Sequence, residues 1–223
     1  MTFLDNIALR IEADLTGATS TVGAQHGEAR LDYDAWFIER LQEGDEACFE
    51  RLVCERTNDI YGVLLRLTQD PEEARDLTQE TFLQAFRYIS NFRGESDLRT
   101  WLYRIAINQA RNRSRWWRRR FRLSTVSLDS STDDEHDALN LTLADSRAAS
   151  PERTALERER EHALFAALDK LSQAHREIVI LRDIEGLSYE EVASATGVSV
   201  GTVKSRLSRA RAELKKRLER FFR

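Results

Sequence analysis

The stretch Leu187–Leu214, LSYEEVASATGVSVGTVKSRLSRARAEL, decides the fold, because it spells two short helices and the turn between them. Ser188 followed by Glu191 is a capping-box signature. The hydroxyl accepts an orphan amide of the first turn, and the carboxylate reaches back to the cap's own N–H. The helix so begun carries Val192 and Ala195 inward and ends at Gly197, the residue best able to turn left-handed. Ala193 and Gly197 are small where the hairpin is expected to approach itself closely. Ser199 then caps a second helix, in which Val203, Leu207, Ala210 and Leu214 recur at spacings of four, three and four and form one buried stripe. At about 100° per residue, Ser205, Ser208 and Arg209 face away from that stripe, with Lys204, Arg206 and Arg211 on its flanks. Short polar groups and an arginine suit base edges in a DNA major groove, and flanking cations suit phosphates. A solvated basic face on a helical hairpin is the plainer reading; the four-residue turn with a cap at each helix start favours the helix-turn-helix.

Working outward, the basic run Lys215-Lys216-Arg217 extends the second helix. Upstream, Leu156, Leu164, Phe165, Leu168 and Leu171, then Ile178, Val179 and Leu181, keep a helical period and predict helices that buttress the hairpin. Before them lies a Ser, Thr and Asp-rich run containing Asp133-Asp134-Glu135-His136-Asp137, with nothing to support a core. Residues 119–153 therefore read as a mobile acidic linker.

The chain has 223 residues, enough for two modest domains. Two prolines and nine glycines against 32% charged residues favour helix over sheet, and no segment alternates with a strand period. A net charge of −4 argues against a DNA-binding protein until its distribution is seen. Between Arg99 and Arg122 there is no acid, whereas acids dominate from Asp129 to Glu161. Cys48 and Cys54 lie in an apolar helical pattern with no second pair for a zinc site or a disulfide framework, and are expected to be buried thiols of a cytoplasmic protein. Phe3–Leu15 is amphipathic but interrupted by charges, which fits neither a signal peptide nor a membrane span. Residues 1–32 read as an appendage, a short helix followed by a flexible Thr, Ser, Gly and Ala tether.

From Tyr33 to Leu67, Trp36, Phe37 and Leu41, then Phe49, Leu52 and Val53, then Ile60, Val63, Leu64 and Leu67 predict two helices broken at Gly44-Asp45. Asp70-Pro71-Glu72-Glu73 starts a third: Asp70 caps, Pro71 sits where its missing N–H costs nothing, and the acids face the positive dipole end. Its inward face is Ala74, Phe82, Ala85, Phe86 and Ile89, and its outward face Asp76, Gln79, Glu80, Leu83 and Arg87. Leu83 is either an ordinary exposed leucine or the apolar anchor of an acidic docking patch for a basic helical partner. After the turn at Phe92–Ser96, Ser96 is expected to cap a helix through Leu98, Trp101, Leu102, Ile105 and Ala106. Along it Arg99, Arg104, Arg111, Arg113 and Arg115 interleave with Trp101, Tyr103, Asn108, Asn112, Trp116 and Trp117. Cations for phosphates, aromatic faces for stacking and amides for base edges suit single-stranded nucleic acid. Trp101 also falls on the apolar face and is in part a core residue.

Three motifs together, Asp70–Phe86 (DPEEARDLTQETFLQAF), Phe92–Asn108 (FRGESDLRTWLYRIAIN) and Leu171–Arg211 (LSQAHREIVILRDIEGLSYEEVASATGVSVGTVKSRLSRAR), resemble the extracytoplasmic-function (ECF) sigma factors of bacterial RNA polymerase. The likeness covers roughly residues 35–220. It implies an all-α protein of two helical domains: a four-helix-type bundle at 33–118 and a helix-turn-helix domain at 154–223. It implies a non-enzymatic promoter-recognition subunit, without cofactor or metal, whose partners are core RNA polymerase (largest-subunit clamp and flap), promoter DNA and an anti-sigma factor in a stress response. Asp76, Gln79, Glu80 and Leu83 would dock on polymerase. Phe92 and Arg93 in their loop, with Asn108, Arg111 and Arg115, would engage the −10 element. Lys204, Ser205, Arg206, Ser208 and Arg209 would read the −35 duplex, and Ser188, Glu191, Gly197 and Ser199 would shape the helix-turn-helix.

Two other classes fit less well. A free-standing dimeric repressor lacks a sustained heptad seam or a ligand domain. For an enzyme, none of the four histidines falls in a metal-binding spacing, and Gly201-Thr202-Val203-Lys204-Ser205 lacks the adjacent Gly-Lys-Ser of a phosphate loop.

Overall fold

The computed structural model describes residues 27–124 and 162–218. The expected appendage up to residue 26, and the acidic linker from residue 125 onward, lie outside the described residues. Eight α-helices form two units among those residues. The first unit comprises α1 (Gly27–Gln42), α2 (Glu46–Thr68), α3 (Pro71–Tyr88) and α4 (Leu98–Ser124). The second comprises α5 (162–169), α6 (Gln173–Val179), α7 (Tyr189–Thr196) and α8 (Val200–Leu218). Two boundaries differ from expectation. α1 begins six residues before Tyr33, and α4 runs past Arg118 to Ser124, because its arginines and aromatics sustain the helical pattern into the predicted linker.

Local chemistry sets the helix ends. The Asp45 carboxylate accepts the Cys48 N–H at 3.0 Å and starts α2. α2 ends at Gln69 in the left-handed region (φ 62°), whose N–H returns to the Leu65 carbonyl. Asp70 then starts α3 at once, accepting the N–H groups of Glu72 and Glu73 at 2.9 and 3.1 Å. This pair of caps, with no spacer between them, makes α2 and α3 a tight hairpin. The cap of α4 is a correction: Asp97, not Ser96, accepts the Arg99 N–H at 2.9 Å. Both have the right chemistry, and adjacency to Leu98 gives the position to Asp97.

α2, α3 and α4 bury Leu52, Ile60, Val63, Leu64, Leu77, Phe82, Leu102, Tyr103 and Ile107 against one another. Each buried leucine or isoleucine contributes about 1.5–3 kcal/mol, so this seam rather than helix propensity holds α4 in place. Phe86 departs from the inward assignment. It is half exposed and meets Phe49 edge-on at 5.0 Å, because the inward stripe passes through Ala85 and Ile89. Cys48 is partly buried and Cys54 exposed, so the second thiol is not the core residue expected.

In the second unit α6 runs directly into a π-helical turn, Ile180–Ile184, of the kind that inserts one residue into a helix and re-aims the next segment of chain. That turn points the Asp183 carboxylate inward. The α7–α8 hairpin forms as its residues dictate. Ser188 accepts the Glu191 N–H at 3.1 Å while Glu191 accepts the Ser188 N–H at 2.6 Å. Gly197 is left-handed (φ 72°), and Ser199 accepts the Thr202 N–H at 3.2 Å. A Cβ on Gly197 would meet nothing within 4 Å, so the glycine serves its φ and not a close approach. The two units pack together, α4 lying against α7.

Candidate nucleic-acid interface

α8 is the more exposed of the hairpin's two helices. Val203, Leu207, Ala210 and Leu214 bury its inner side, leaving Lys204, Ser205, Ser208 and Arg209 exposed and Arg206 partly so. Lys204 is steered by the Tyr189 ring, whose centroid lies 5.4 Å from Nζ. Ser205 donates to the Thr202 carbonyl at 3.0 Å, which leaves its lone pairs outward. Arg211 departs from the flanking role expected of it. It is buried, with Nε and Nη2 donating to the two oxygens of Asp183 at 3.1 and 2.5 Å. α8 is thereby bolted to the π turn, at a position where helical periodicity alone places a solvent cation.

α4 presents a second basic face. Arg104, Asn108, Asn112, Arg115 and Arg119 are all exposed and follow one another at four, four, three and four residues, so they line a single stripe. Asn108 and Arg115 were expected there; Arg104, Asn112 and Arg119 join them by periodicity that was already readable. At its far end Trp116 and Trp117 are partly exposed, and the Arg120 guanidinium sits 5.0 Å from the Trp116 ring centroid. The same end is anchored to the bundle: Trp117 Nε1 donates to Glu73 at 3.1 Å, and Arg113 approaches the same carboxylate at 3.9 Å.

Two expected site residues are placed differently. Phe92 is buried, tilted against Trp101 at 5.3 Å, and its carbonyl accepts the Gln42 side chain at 2.6 Å. It holds the Phe92–Ser96 turn onto the core, while Arg93 and left-handed Gly94 (φ 69°) remain exposed. Arg111 sits off the exposed stripe and turns toward the second unit. Its Nε and Nη2 donate to Glu177 at 2.9 and 2.6 Å, and Nη1 donates to the Thr196 carbonyl at 3.0 Å. The hydrogen bond to Glu177 raises the Arg111 pKa above the ordinary arginine value.

A companion cluster surrounds Glu185. Tyr103 donates to its carboxylate at 2.6 Å, Arg99 donates to it at 3.2 Å and to its carbonyl at 2.9 Å, and Arg66 lies 3.7 Å away. Burial first, then the neighbouring carboxylate, push the Tyr103 phenol well above the usual tyrosine range. Burial works against the Arg99 cation, yet Tyr103 and Glu185 outweigh it and raise its pKa.

α3 supplies a surface of opposite character. Asp76, Gln79, Glu80 and Leu83 are all exposed, Leu83 at 58%, and their spacing of three, one and three puts them on one face. Phe86, which sequence reasoning assigned inward, extends that face one turn further. Among the described residues no helix is long and apolar enough to cross a membrane.

The family model described as Sigma-70 region 2 matches residues 52–121, and that described as Sigma-70, region 4 matches residues 161–214. The chain is 39% identical over 188 residues to the RNA polymerase sigma-H factor of Pseudomonas aeruginosa, covering 84% of this chain and 95% of the relative. It is 36% identical over 186 residues to the ECF RNA polymerase sigma-E factor of Haemophilus influenzae, covering 83% and 95%. Among solved structures it resembles the sigma factor RpoE of Bartonella quintana, crystallised in complex with the anti-sigma factor NepR, with a TM-score of 0.58, 26% identity, and 77% and 96% of the two chains covered. CnrH, solved in complex with the cytosolic domain of CnrY, shares the fold at a TM-score of 0.59 and 24% identity, over 83% and 97% of the two chains.

Proposed function

This chain belongs to the ECF RNA polymerase sigma factors, and we propose that it is an alternative sigma factor acting in the cytosol, competent only when held by core polymerase. The face of Asp76, Gln79, Glu80, Leu83 and Phe86 docks on the clamp of the largest subunit, and the second unit takes the flap. Lys204, Ser205, Arg206, Ser208 and Arg209 meet the −35 duplex in its major groove, with serines and Arg209 at base edges and the other cations at phosphates. The α4 stripe, centred on Asn108 and Arg115, follows the −10 strand as it opens. Arg93 lies at the rim of the loop that takes the extruded base, and buried Phe92 holds that loop in position. The chain contributes binding and no catalysis of its own. By likeness to the Bartonella quintana RpoE, crystallised with the anti-sigma factor NepR, an anti-sigma factor restrains it under stress control.

One observation carries this reading. Adjacent helices of a single unit expose an acidic, leucine-tipped face and a basic face free of acid. A protein that bound DNA unaided would gain nothing from carboxylates beside its phosphate-binding surface. A subunit that must meet a protein on one side and DNA on the other needs both. The energetics agree: extruding a base costs a few kcal/mol, and stacking returns about 1–3 kcal/mol per base, so the exchange is favourable only when a larger assembly has already brought protein and DNA together.

A mobility-shift titration on promoter DNA tests it. Binding is weak for the chain alone and tight and salt-sensitive once core polymerase is added; equal affinity with and without core contradicts the proposal.

A further inference from the structure

Between Phe92 and Asp97 run four residues, Arg93 to Ser96, and among the described residues no backbone hydrogen bond involves any of them. The path of this loop is therefore set by the two residues it is strung between. Downstream, Asp97 accepts the Arg99 N–H with its side chain at 2.9 Å and the Trp101 N–H with its carbonyl at 3.0 Å. Upstream, Phe92 is held in three ways. Its N–H donates to the Ile89 carbonyl at 3.0 Å, closing the 3-10 turn Ile89–Asn91. Its ring is buried against Trp101, and its carbonyl accepts Gln42 Nε2 at 2.6 Å.

The last of these holds comes from a remote segment. Gln42 ends α1, 50 positions before Phe92, and its backbone is closed on both sides. Leu41 beside it is buried, the left-handed Gly44 (φ 84°) returns its N–H to the Leu41 carbonyl at 3.1 Å, and the Asp45 N–H returns to the Arg40 carbonyl at 3.0 Å. Arg40 is pinned in turn by Glu43 and Asp45 at 3.0 and 2.6 Å. A turn so closed delivers the Gln42 amide to one place. The bond adds little to stability, because Gln42 is exposed and water would serve the Phe92 carbonyl nearly as well. What water does not do is fix a direction. A trans peptide is planar with its C=O and N–H antiparallel, so a Phe92 carbonyl held toward α1 aims the Arg93 N–H away from it and sets the line on which the chain enters Arg93 and Gly94.

Resting on the sigma-factor reading for what the loop receives, we infer that Gln42 is a positioning residue for recognition of the extruded −10 base. It acts on the base only through the Phe92–Arg93 peptide that it holds. Without its amide that peptide is free to rotate about Phe92 ψ and Arg93 φ, and the loop samples several paths of which one fits the base. Telling one base from another requires polar groups held to within about 0.5 Å. Docking on polymerase and attraction to phosphates do not, so loss of Gln42 lowers selectivity before it lowers affinity.

The test uses the full chain and two variants of this exposed residue. Gln42→Met keeps the length and loses the donor, and Gln42→Lys restores a donor. Transcription with core polymerase on promoters carrying each of the four bases in turn along the −10 element gives the selectivity, and titration with core alone gives the docking. Gln42→Met should bind core as the parent does while its selectivity at one −10 position falls about three- to tenfold, the range of one net hydrogen bond, and Gln42→Lys should return it. A merely structural role would weaken all templates alike and leave the ratio unmoved. That result, or equal loss of selectivity in both variants, overturns the proposal. Nitrogen-15 relaxation of the free chain follows the loop whatever the chain binds: the Arg93 and Gly94 amides should gain motion in Gln42→Met and lose it again in Gln42→Lys. Amides unchanged in Gln42→Met overturn the positioning role. A parent that directs no transcription with core, while its amides respond as expected, overturns the sigma-factor reading and leaves the hold of Gln42 on the loop standing.

Discussion

Asp183 and Arg211, 28 positions apart in sequence, form a buried two-point ion pair that ties α8 to the π turn ahead of it. Removing the arginine strands the buried Asp183 carboxylate away from water, at a cost of about 3–5 kcal/mol. Arg211→Met should therefore lower the urea midpoint of the helix-turn-helix unit sharply. Adding Asp183→Asn should recover much of the loss, since a neutral side chain of the same shape leaves no buried carboxylate charge. A double variant no more stable than the single one would show that the pair has some role other than neutralising its own burial.

The turn of the hairpin depends on backbone conformation and not on space. Gly197 has φ 72° with no heavy atom near a would-be Cβ, so Gly197→Ala is expected to cost about 1–2 kcal/mol by the left-handed penalty alone. Gly197→Asn should cost less, because asparagine tolerates that region. Equal losses in a denaturation series would point to crowding that the structure does not contain.

On α8 the roles of Arg209 and Lys204 should separate. Arg209→Ala in the holoenzyme is expected to relax preference at one −35 position, a loss of about 1–3 kcal/mol of discrimination. Lys204→Ala should weaken all sequences alike and lower the salt slope by about one. Anisotropy titrations over a salt series on matched and singly substituted duplexes distinguish the two; a sequence-specific effect of Lys204→Ala would reverse the assignment.

Acid should loosen the start of α2. The Cys48 backbone N–H holds the Asp45 carboxyl below the ordinary aspartate range, with Arg40 adding to the effect against partial desolvation. A depressed folded pKa contributes stability that is complete above the unfolded value, about 3.9, and is lost as pH falls through the folded one. The urea midpoint should thus drop as pH falls through about 4 and below, and Asp45→Asn, which still caps but does not titrate, should drop less. Identical pH profiles would remove Asp45 from the account.

Much of this was legible in the residues, since local chemistry decides helix ends and periodicity decides faces. Ser188 with Glu191, Asp70 with Pro71, and the stripe from Val203 to Leu214 needed no tertiary information. What was not legible depends on contacts between segments remote in sequence. Arg211 sits at a flanking angle on α8, and only the inward turn of Asp183 makes it a core residue. Arg111 belongs by composition to a DNA-facing run, but α7 lies against that side of α4. Phe86 and Cys54 were assigned inward by a periodicity that does not say where a neighbouring helix stops. The expected two-domain organisation is present; the seam that joins its halves left no mark in the sequence.

The most direct test is multi-round transcription by core RNA polymerase on a library of genomic fragments, with and without the full chain. The account predicts discrete transcripts only when the chain is present, from start sites sharing one −10 and one −35 sequence, and their loss when Leu83→Arg disables the docking face of α3. Transcription unchanged by adding the chain, or equally strong with Leu83→Arg, would contradict it.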